Sequence, residues 1–133
     1  MTTQNINIEV ELNDQFFEDI LITALEGGSN YWLQSIKVNH PGGPKPKGIP
    51  NSIWAAQAIN LLSSVECYSD DGEKETLTLG SLTNAVLLWT QNHPDKVEIY
   101  NYNGKHSIDA ANIDADDADE ILQYALFGTL VYG

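Results

Sequence analysis

The amino-acid sequence predicts a single α+β domain in which a mainly antiparallel sheet with hairpins packs against three to four helices. Two segments combine alternating apolar residues with an Asp-Gly or Asn-Gly turn, which is typical of β-hairpins. Three to four other segments place apolar residues at helical spacing, without the regular strand and helix alternation of a parallel sheet. Because 133 residues suit one core, we expect one domain over residues 1–133.

The first half of the chain predicts two strands and two helices. The strands are indicated by alternating apolar and polar side chains, and the helices by apolar residues three and four apart. In order, these elements are a strand over 5–12, a helix from Asn13 or Asp14 to a left-handed end at Gly27 or Gly28, a strand over 31–38, and a short helix from Asn51 or Ser52 to Leu62. Residues 40–50 hold four of the five prolines and three glycines, so we expect an exposed excursion there.

The second half predicts two hairpins that alternate with two helices. Each hairpin is indicated by a turn dipeptide between short apolar runs, and each helix by a cap and an apolar face. In order, these elements are a hairpin of 65–69 and 75–79 around Asp70-Asp71-Gly72, a helix from Ser81 to His93-Pro94, a hairpin of 97–100 and 105–108 around Asn103-Gly104, and a helix over 116–127.

Two segments of the chain, residues 19–32 and 120–133, share a pattern of apolar residues followed by glycine and an aromatic residue. At one constant offset, Ile20, Leu21, Ala24, Leu25, Gly27 and Tyr31 correspond to Ile121, Leu122, Ala125, Leu126, Gly128 and Tyr132. Helices that end at glycine share such residues for physical reasons, so we favour this explanation over an internal duplication.

Charge is the strongest global property of the sequence. Nineteen acidic residues face six basic residues, the formal net charge is −13, and every basic residue is a lysine. A chain without arginine has no bidentate donor for phosphate or guanine, and its negative field repels nucleic acid, so we expect no direct nucleic-acid binding. The acidic residues cluster in 9–19, 66–75 and 109–120. A solvated surface explains these clusters more simply than a patch that competes with nucleic acid for a basic partner.

No pattern of catalytic or metal-binding residues emerges. The acidic run 112–120 lacks the glycine and the glutamate that a calcium loop needs, and Asp114 as a helix cap explains it better. The three histidines and the one cysteine are too scattered for a zinc site. His106, Ser107 and Asp109 are neighbours on a strand and point to opposite faces, which disfavours a hydrolytic triad. We therefore expect no catalytic residues, no metal and no cofactor.

Candidate binding residues lie in the excursion and in the acidic clusters. For a protein partner they are Trp54, Lys45, Lys47, Asp114, Asp116, Asp117, Asp119, Glu73 and Glu75. Trp54 qualifies because it follows the excursion, although a core position is the favoured interpretation for a tryptophan. For a small ligand, the aromatic residues that could stack on a base are Tyr31, Trp32 and Trp54.

Two motifs in the chain are distinctive enough to carry a resemblance. The first motif is Thr23-Ala-Leu-Glu-Gly-Gly28 followed by Tyr31-Trp32, and the second is Ala118-Asp-Glu-Ile-Leu-Gln-Tyr-Ala-Leu-Phe-Gly128 followed by Val131-Tyr132-Gly133. With these motifs, and with an acidic hairpin that leads into a helix, the chain resembles a family of small uncharacterised proteins encoded by bacteriophages, prophages and plasmids. The resemblance implies a mobile-element origin and an accessory or host-interaction role, and it transfers no activity.

Charge and resemblance together predict a phage or mobile-element accessory protein that is not an enzyme and acts by protein–protein interaction. Its partner would be a host or defence protein, and one form of the role is an acidic inhibitor that mimics nucleic acid. The alternative is a protein that binds or sequesters a small ligand or a nucleotide signal. The opening residues lack a basic region followed by an apolar run, so we expect no membrane partner and a location in the host cytoplasm. Homo-oligomerisation stays open.

Overall fold

The α+β fold class that the sequence predicts is confirmed by the order of the helices and strands. A computed structural model describes residues 2–4, 9–96, 99–102 and 105–133. Within these residues the elements are α1 (Asp14–Thr23), β1 (Leu33–Asn39), α2 (Asn51–Asn60), β2 (Ser64–Ser69), β3 (Lys74–Leu77), α3 (Leu79–Asn92), β4 (Ile99–Tyr102), β5 (Lys105–Ile108) and α4 (Ala115–Phe127). None of the helices described has both the length and the apolar character needed to cross a membrane.

Strands β1, β2 and β3 form an antiparallel sheet in that order, and β4 pairs with β5 as a separate hairpin. Alternate residues of β2, including Val65 and Cys67, are buried, and they identify the inner face of the sheet. Val65 lies opposite Val38 and Leu77 in the neighbouring strands. Such alternation is typical of a sheet with one face on the core and one face towards water.

The hydrophobic core lies between this inner face and the helices. Large side chains that are fully buried come from every helix and from the sheet: Ile20, Leu21, Ile59, Val65, Leu77, Leu82, Val86, Trp89, Ile121 and Leu122. α3 packs on α4 and α1 packs on α2, while α2 and α4 also contact the sheet, so the apolar faces of the four helices contribute to one core. Cys67 belongs to this core, and burial raises the pKa of its thiol to about 12. The thiol is therefore neutral and unreactive at ordinary pH.

The helices begin at side-chain caps, with one exception. Asn13 caps α1 by accepting a hydrogen bond from the Phe16 backbone N–H at 2.9 Å, as predicted. Thr78 forms a capping box with Ser81, so α3 begins at Leu79, before the predicted Ser81. α2 follows Pro50 without a side-chain cap, and the predicted cap at Asn51 or Ser52 is wrong.

The ends of α1 and α4 differ, although their sequences resemble each other. α4 ends as predicted at Gly128, which is left-handed with φ of 73°. The left-handed end predicted at Gly27 or Gly28 is wrong, because α1 continues into a π-helical turn over Ala24–Gly28 and neither glycine has a positive φ. The two segments therefore do not repeat one local structure.

Three expectations fall partly or wholly outside the described residues. These are residues 5–8 of the predicted first strand, Val97 and Glu98 of the predicted second hairpin, and its turn at Asn103-Gly104. Of the remaining residues in the first strand, 9–12, only Val10 forms a β-bridge. The first hairpin is confirmed, with Gly72 at φ of 81° in the turn between β2 and β3.

Candidate functional site

The carboxylate of Asp119 joins the first motif to the second. Asp119 lies in α4 and is only 6% exposed. Its Oδ1 accepts hydrogen bonds from Ser29 Oγ and from the Trp32 indole Nε1, each at 2.7 Å. Its Oδ2 accepts from the Tyr31 hydroxyl at 2.6 Å and from Gln123 Nε2 at 3.1 Å. A carboxylate that accepts on both oxygens needs no cation to satisfy its lone pairs, and none of its four donors is charged.

The Tyr31 hydroxyl lies at the edge of this network, on a side chain that is 54% exposed. Partial burial and the hydrogen bond to Asp119 raise the pKa of Tyr31 to about 12. At neutral pH the hydroxyl therefore remains protonated and donates to the carboxylate.

Gln123 extends the network to the segment that follows α4. Its Oε1 accepts from the backbone N–H groups of Val131 and Tyr132, each at 2.8 Å. Its Nε2 donates to the Tyr132 carbonyl at 3.2 Å as well as to Asp119. Since Gln123 is almost completely buried, one side chain holds this segment against the helix.

An aromatic cluster covers the buried side of the network. The ring of Tyr132 stacks on Trp32 with centroids 5.0 Å apart and planes 3° apart, and Phe127 packs against both rings. Trp32 is 2% exposed, so it packs in the core and does not present a face to a ligand base. Stacking of Trp32 on a small ligand stays a prediction, and the burial of the ring disfavours it.

Gly28 allows the turn after α1 to approach the start of α4. A Cβ atom at this position would lie 2.3 Å from the backbone oxygen of Ala115, which is far inside van der Waals contact. At Gly27 a Cβ atom would meet nothing within 4 Å. The second glycine of the first motif thus has a packing role that its neighbour lacks.

A pocket of about 430 Å³ opens beside the Asp119 network. α4 contributes Asp116, Asp119, Glu120 and Gln123, the turn before β1 contributes Tyr31, and the segment after α4 contributes Leu130, Tyr132 and Gly133. We call this the acidic pocket. Tyr31 and Leu130 are among the exposed large apolar side chains, and so is Val131 beside them in sequence. Carboxylates and exposed apolar groups therefore meet in one concave surface.

The other acidic residues of this cluster have structural partners. Asp114 caps α4 and forms a capping box with Asp117, and the backbone N–H of Asp117 lowers the pKa of Asp114. Asp117 is buried and accepts from Lys96 Nζ at 3.0 Å, and this contact raises the pKa of Lys96. Of the four aspartates predicted for partner binding between 114 and 119, only Asp116 is exposed without such a role.

The candidate residues in the excursion, and Trp54 just after it, do not line the acidic pocket. Trp54 is 9% exposed and stacks on the His40 ring, with centroids 3.6 Å apart. Trp54 is therefore buried, as the favoured interpretation expects, although it packs on His40 and is not part of the main core cluster. Contact of Trp54 with a partner or a base stays a prediction that this burial disfavours. Lys45 donates to the Ile49 carbonyl at 2.6 Å, while Lys47 is exposed.

Glu73 is exposed and Glu75 is half-buried in the hairpin of β2 and β3. Glu75 lies opposite the buried Cys67, while Glu73 immediately precedes β3. Tyr132 reaches this hairpin, since its hydroxyl donates to Asp71 at 3.1 Å. Glu73 and Glu75 do not line the acidic pocket.

The sequence-based candidates did not include several residues of the site: Ser29, Glu120, Gln123, Leu130, Tyr132 and Gly133. A signal for the Asp119 network was present, because Asp119 lies three and seven residues before the buried Leu122 and Leu126. It thus belongs to the apolar stripe of α4, where a polar side chain needs a partner. Leu130 had no such signal, since it lies outside regular structure.

Two further pockets, of about 310 and 260 Å³, lie elsewhere on the described surface. The first has no acidic lining residue, and the second combines Asp19 and Asp109 with Phe16, whose ring is buried. Within the described ranges, no group of three or more His, Cys, Asp or Glu residues is arranged to hold a metal ion. Compared with models of protein families, with curated proteins and with solved structures, the chain shows no match in any of the three.

Proposed function

We propose that this chain is an accessory protein without catalytic activity that binds a basic protein partner through the acidic pocket. One observation carries the proposal: Asp116, Asp119 and Glu120 line the same depression as the exposed Tyr31 and Leu130. Protein interfaces combine aromatic and aliphatic contacts with complementary charge, so this surface suits a positively charged partner.

The charge of the whole chain supports the same type of partner. A net charge of −13 attracts basic proteins over distances beyond the pocket and accelerates their association. A basic surface that binds nucleic acid is one target for such a field, which makes an acidic inhibitor of a host or defence protein the biological form that we favour. The resemblance to phage, prophage and plasmid proteins supports this form as well.

The alternative, a protein that sequesters a nucleotide signal, has less support. Two of its three aromatic residues, Trp32 and Trp54, are buried. The third, Tyr31, lies in a pocket whose carboxylates repel phosphate.

Charge reversal at one exposed residue tests the proposal. Tagged wild-type protein, Asp116→Lys and Glu73→Lys are each used to capture proteins from the lysate of the natural host at low and high salt. Both variants change the net charge by the same amount, but only Asp116 lines the acidic pocket. We expect wild type and Glu73→Lys to capture the same basic protein at low salt, and Asp116→Lys to lose it.

Equal capture by the two variants would place the binding surface elsewhere. A lysate that yields no salt-sensitive partner would contradict the proposed function itself, because binding driven by charge weakens as salt increases.

A further inference from the structure

We propose that the acidic pocket binds an arginine side chain presented by the basic partner protein. The inference rests on the proposed function and names the group that the pocket recognises. Three properties of the described residues support it: an uncompensated negative charge, two tyrosines in the pocket wall, and an apolar rim.

The negative charge comes from one face of α4. Asp116, Asp119 and Glu120 follow the helical spacing of three and four residues that places side chains on a common face. Glu120 Oε2 lies 2.6 Å from His93 Nε2, a contact that is an ion pair only when the imidazole is protonated. None of the three ion pairs found among the described residues involves Asp116 or Asp119. The pocket therefore holds carboxylate charge that no cation of the described chain neutralises.

Asp119 contributes charge from below the surface. Four neutral donors already occupy its two oxygens, which leaves little room for a direct bond to an incoming group. Its field acts in a partly desolvated wall, where charges interact more strongly than in water. Asp116 remains to contact the cation directly, and Glu120 can do so only through Oε1, because its Oε2 is buried against His93.

The tyrosines and the rim favour arginine over lysine. Tyr31 and Tyr132 both line the pocket, and Tyr31 is about half exposed. A guanidinium group is weakly hydrated, stacks on aromatic rings and forms paired hydrogen bonds with carboxylates, whereas an ammonium group is compact and strongly hydrated. Leu130 offers an apolar contact for the methylene stem of the side chain. The chain contains no arginine of its own to compete for the site.

The indole N–H of Trp32 provides a local probe of occupancy. It donates to Asp119 Oδ1 at 2.7 Å, directly behind the pocket, so a cation in the pocket must change its chemical shift. Trp54, stacked on His40 in the excursion, serves as an internal reference. The experiment titrates the ¹⁵N-labelled protein with acetyl-Gly-Arg-Gly-amide and with matched peptides that carry citrulline or lysine at the central position.

We expect the arginine peptide to shift the Trp32 indole signal saturably, at concentrations on the order of millimolar for a single side chain, and to leave the Trp54 signal in place. Citrulline has the same shape without charge, so its peptide should bind about tenfold more weakly or worse. Lysine should bind several-fold more weakly than arginine. Asp116→Lys should abolish the shift, and Glu9→Lys, which reverses an exposed charge outside the pocket, should preserve it.

An unchanged Trp32 signal, or equal binding of the citrulline or lysine peptide, would overturn the assignment to arginine. Free L-arginine that binds more tightly than the peptide would overturn the protein source of the group, because the pocket would then favour the free amino acid over a side chain within a polypeptide. If the arginine peptide fails while Asp116→Lys still loses the lysate partner, the proposed function stands and only the arginine inference falls.

Discussion

Aspartates that are close neighbours in sequence have different roles in α4. Asp114 caps the helix, Asp117 pairs with Lys96, and Asp119 accepts four hydrogen bonds in the interior. Asp116 alone of the four is exposed beside the pocket. Local composition predicts that this run is acidic, whereas burial and partners determine which charge remains available for binding.

The cap of α4 predicts a pH-dependent contribution to stability. The backbone N–H of Asp117 lowers the pKa of Asp114 from its ordinary value of 3.8. A depressed pKa in the folded state stabilises the fold above the unfolded-state pKa, and the contribution is lost as the pH falls below about 4. We expect Asp114→Ala to lower the free energy of unfolding by about 1 kcal/mol at pH 7, and by less at pH 3.

Urea denaturation at both pH values measures this effect. Asp114→Asn is the matched control, because asparagine caps helices about as well as aspartate and does not titrate. A loss for Asp114→Ala that is the same at pH 7 and pH 3 would show that the carboxylate charge contributes nothing to the cap.

At the scale of elements, the two motifs act as one unit. The turn after α1 supplies Ser29, Tyr31 and Trp32, and α4 with the segment after it supplies Asp119 and the stacked Tyr132. The likeness of the motifs in sequence therefore does not reflect similar local structures. The first motif supplies hydrogen-bond donors to the buried carboxylate of the second motif, and each motif supplies one ring to the aromatic stack.

The contact between these elements predicts unequal effects of alanine at two adjacent glycines. At Gly28 the new Cβ atom would clash with the Ala115 backbone oxygen, so we expect Gly28→Ala to lose about 1–3 kcal/mol of stability. At Gly27 the space is open and φ is not positive, so Gly27→Ala should be neutral or stabilising by up to about 1 kcal/mol. Thermal and urea unfolding of both variants provide the measurement, and equal stabilities would argue against the close approach.

The sequence predicts local elements well and their contacts poorly. Apolar spacing identified the core helices, and Asp70-Asp71-Gly72 identified the first hairpin, because both signals arise within a few residues. The end of α1 depends on Ala115, far along the chain, so a rule for local glycine caps predicted it incorrectly. The sequence predicts the acidic cluster. Which of its aspartates are exposed depends on how α4 packs, and this packing leaves Asp116 exposed while Asp117 and Asp119 are buried.

At the scale of the whole molecule, charge and architecture combine at the acidic pocket. The excursion packs against α2 through the stack of His40 on Trp54, and within the excursion Lys45 donates a hydrogen bond to the Ile49 carbonyl. The surface that best suits a partner lies instead where the two motifs meet. The same buried network that holds α4, the turn before β1 and the segment after α4 together also forms the floor of that surface.

The central claim is that Asp119 couples the two motifs, and a double-mutant cycle between Asp119 and Trp32 tests it most directly. The free energy of unfolding is measured by urea denaturation for wild type, Asp119→Ala, Trp32→Phe and the double variant. If the indole N–H and the carboxylate interact as described, the two losses should fall short of additivity by about 0.5–3 kcal/mol. The cavity left by Trp32→Phe appears on both sides of the cycle and cancels. Losses that add within about 0.5 kcal/mol would contradict the account, because the two motifs would then stabilise the fold independently.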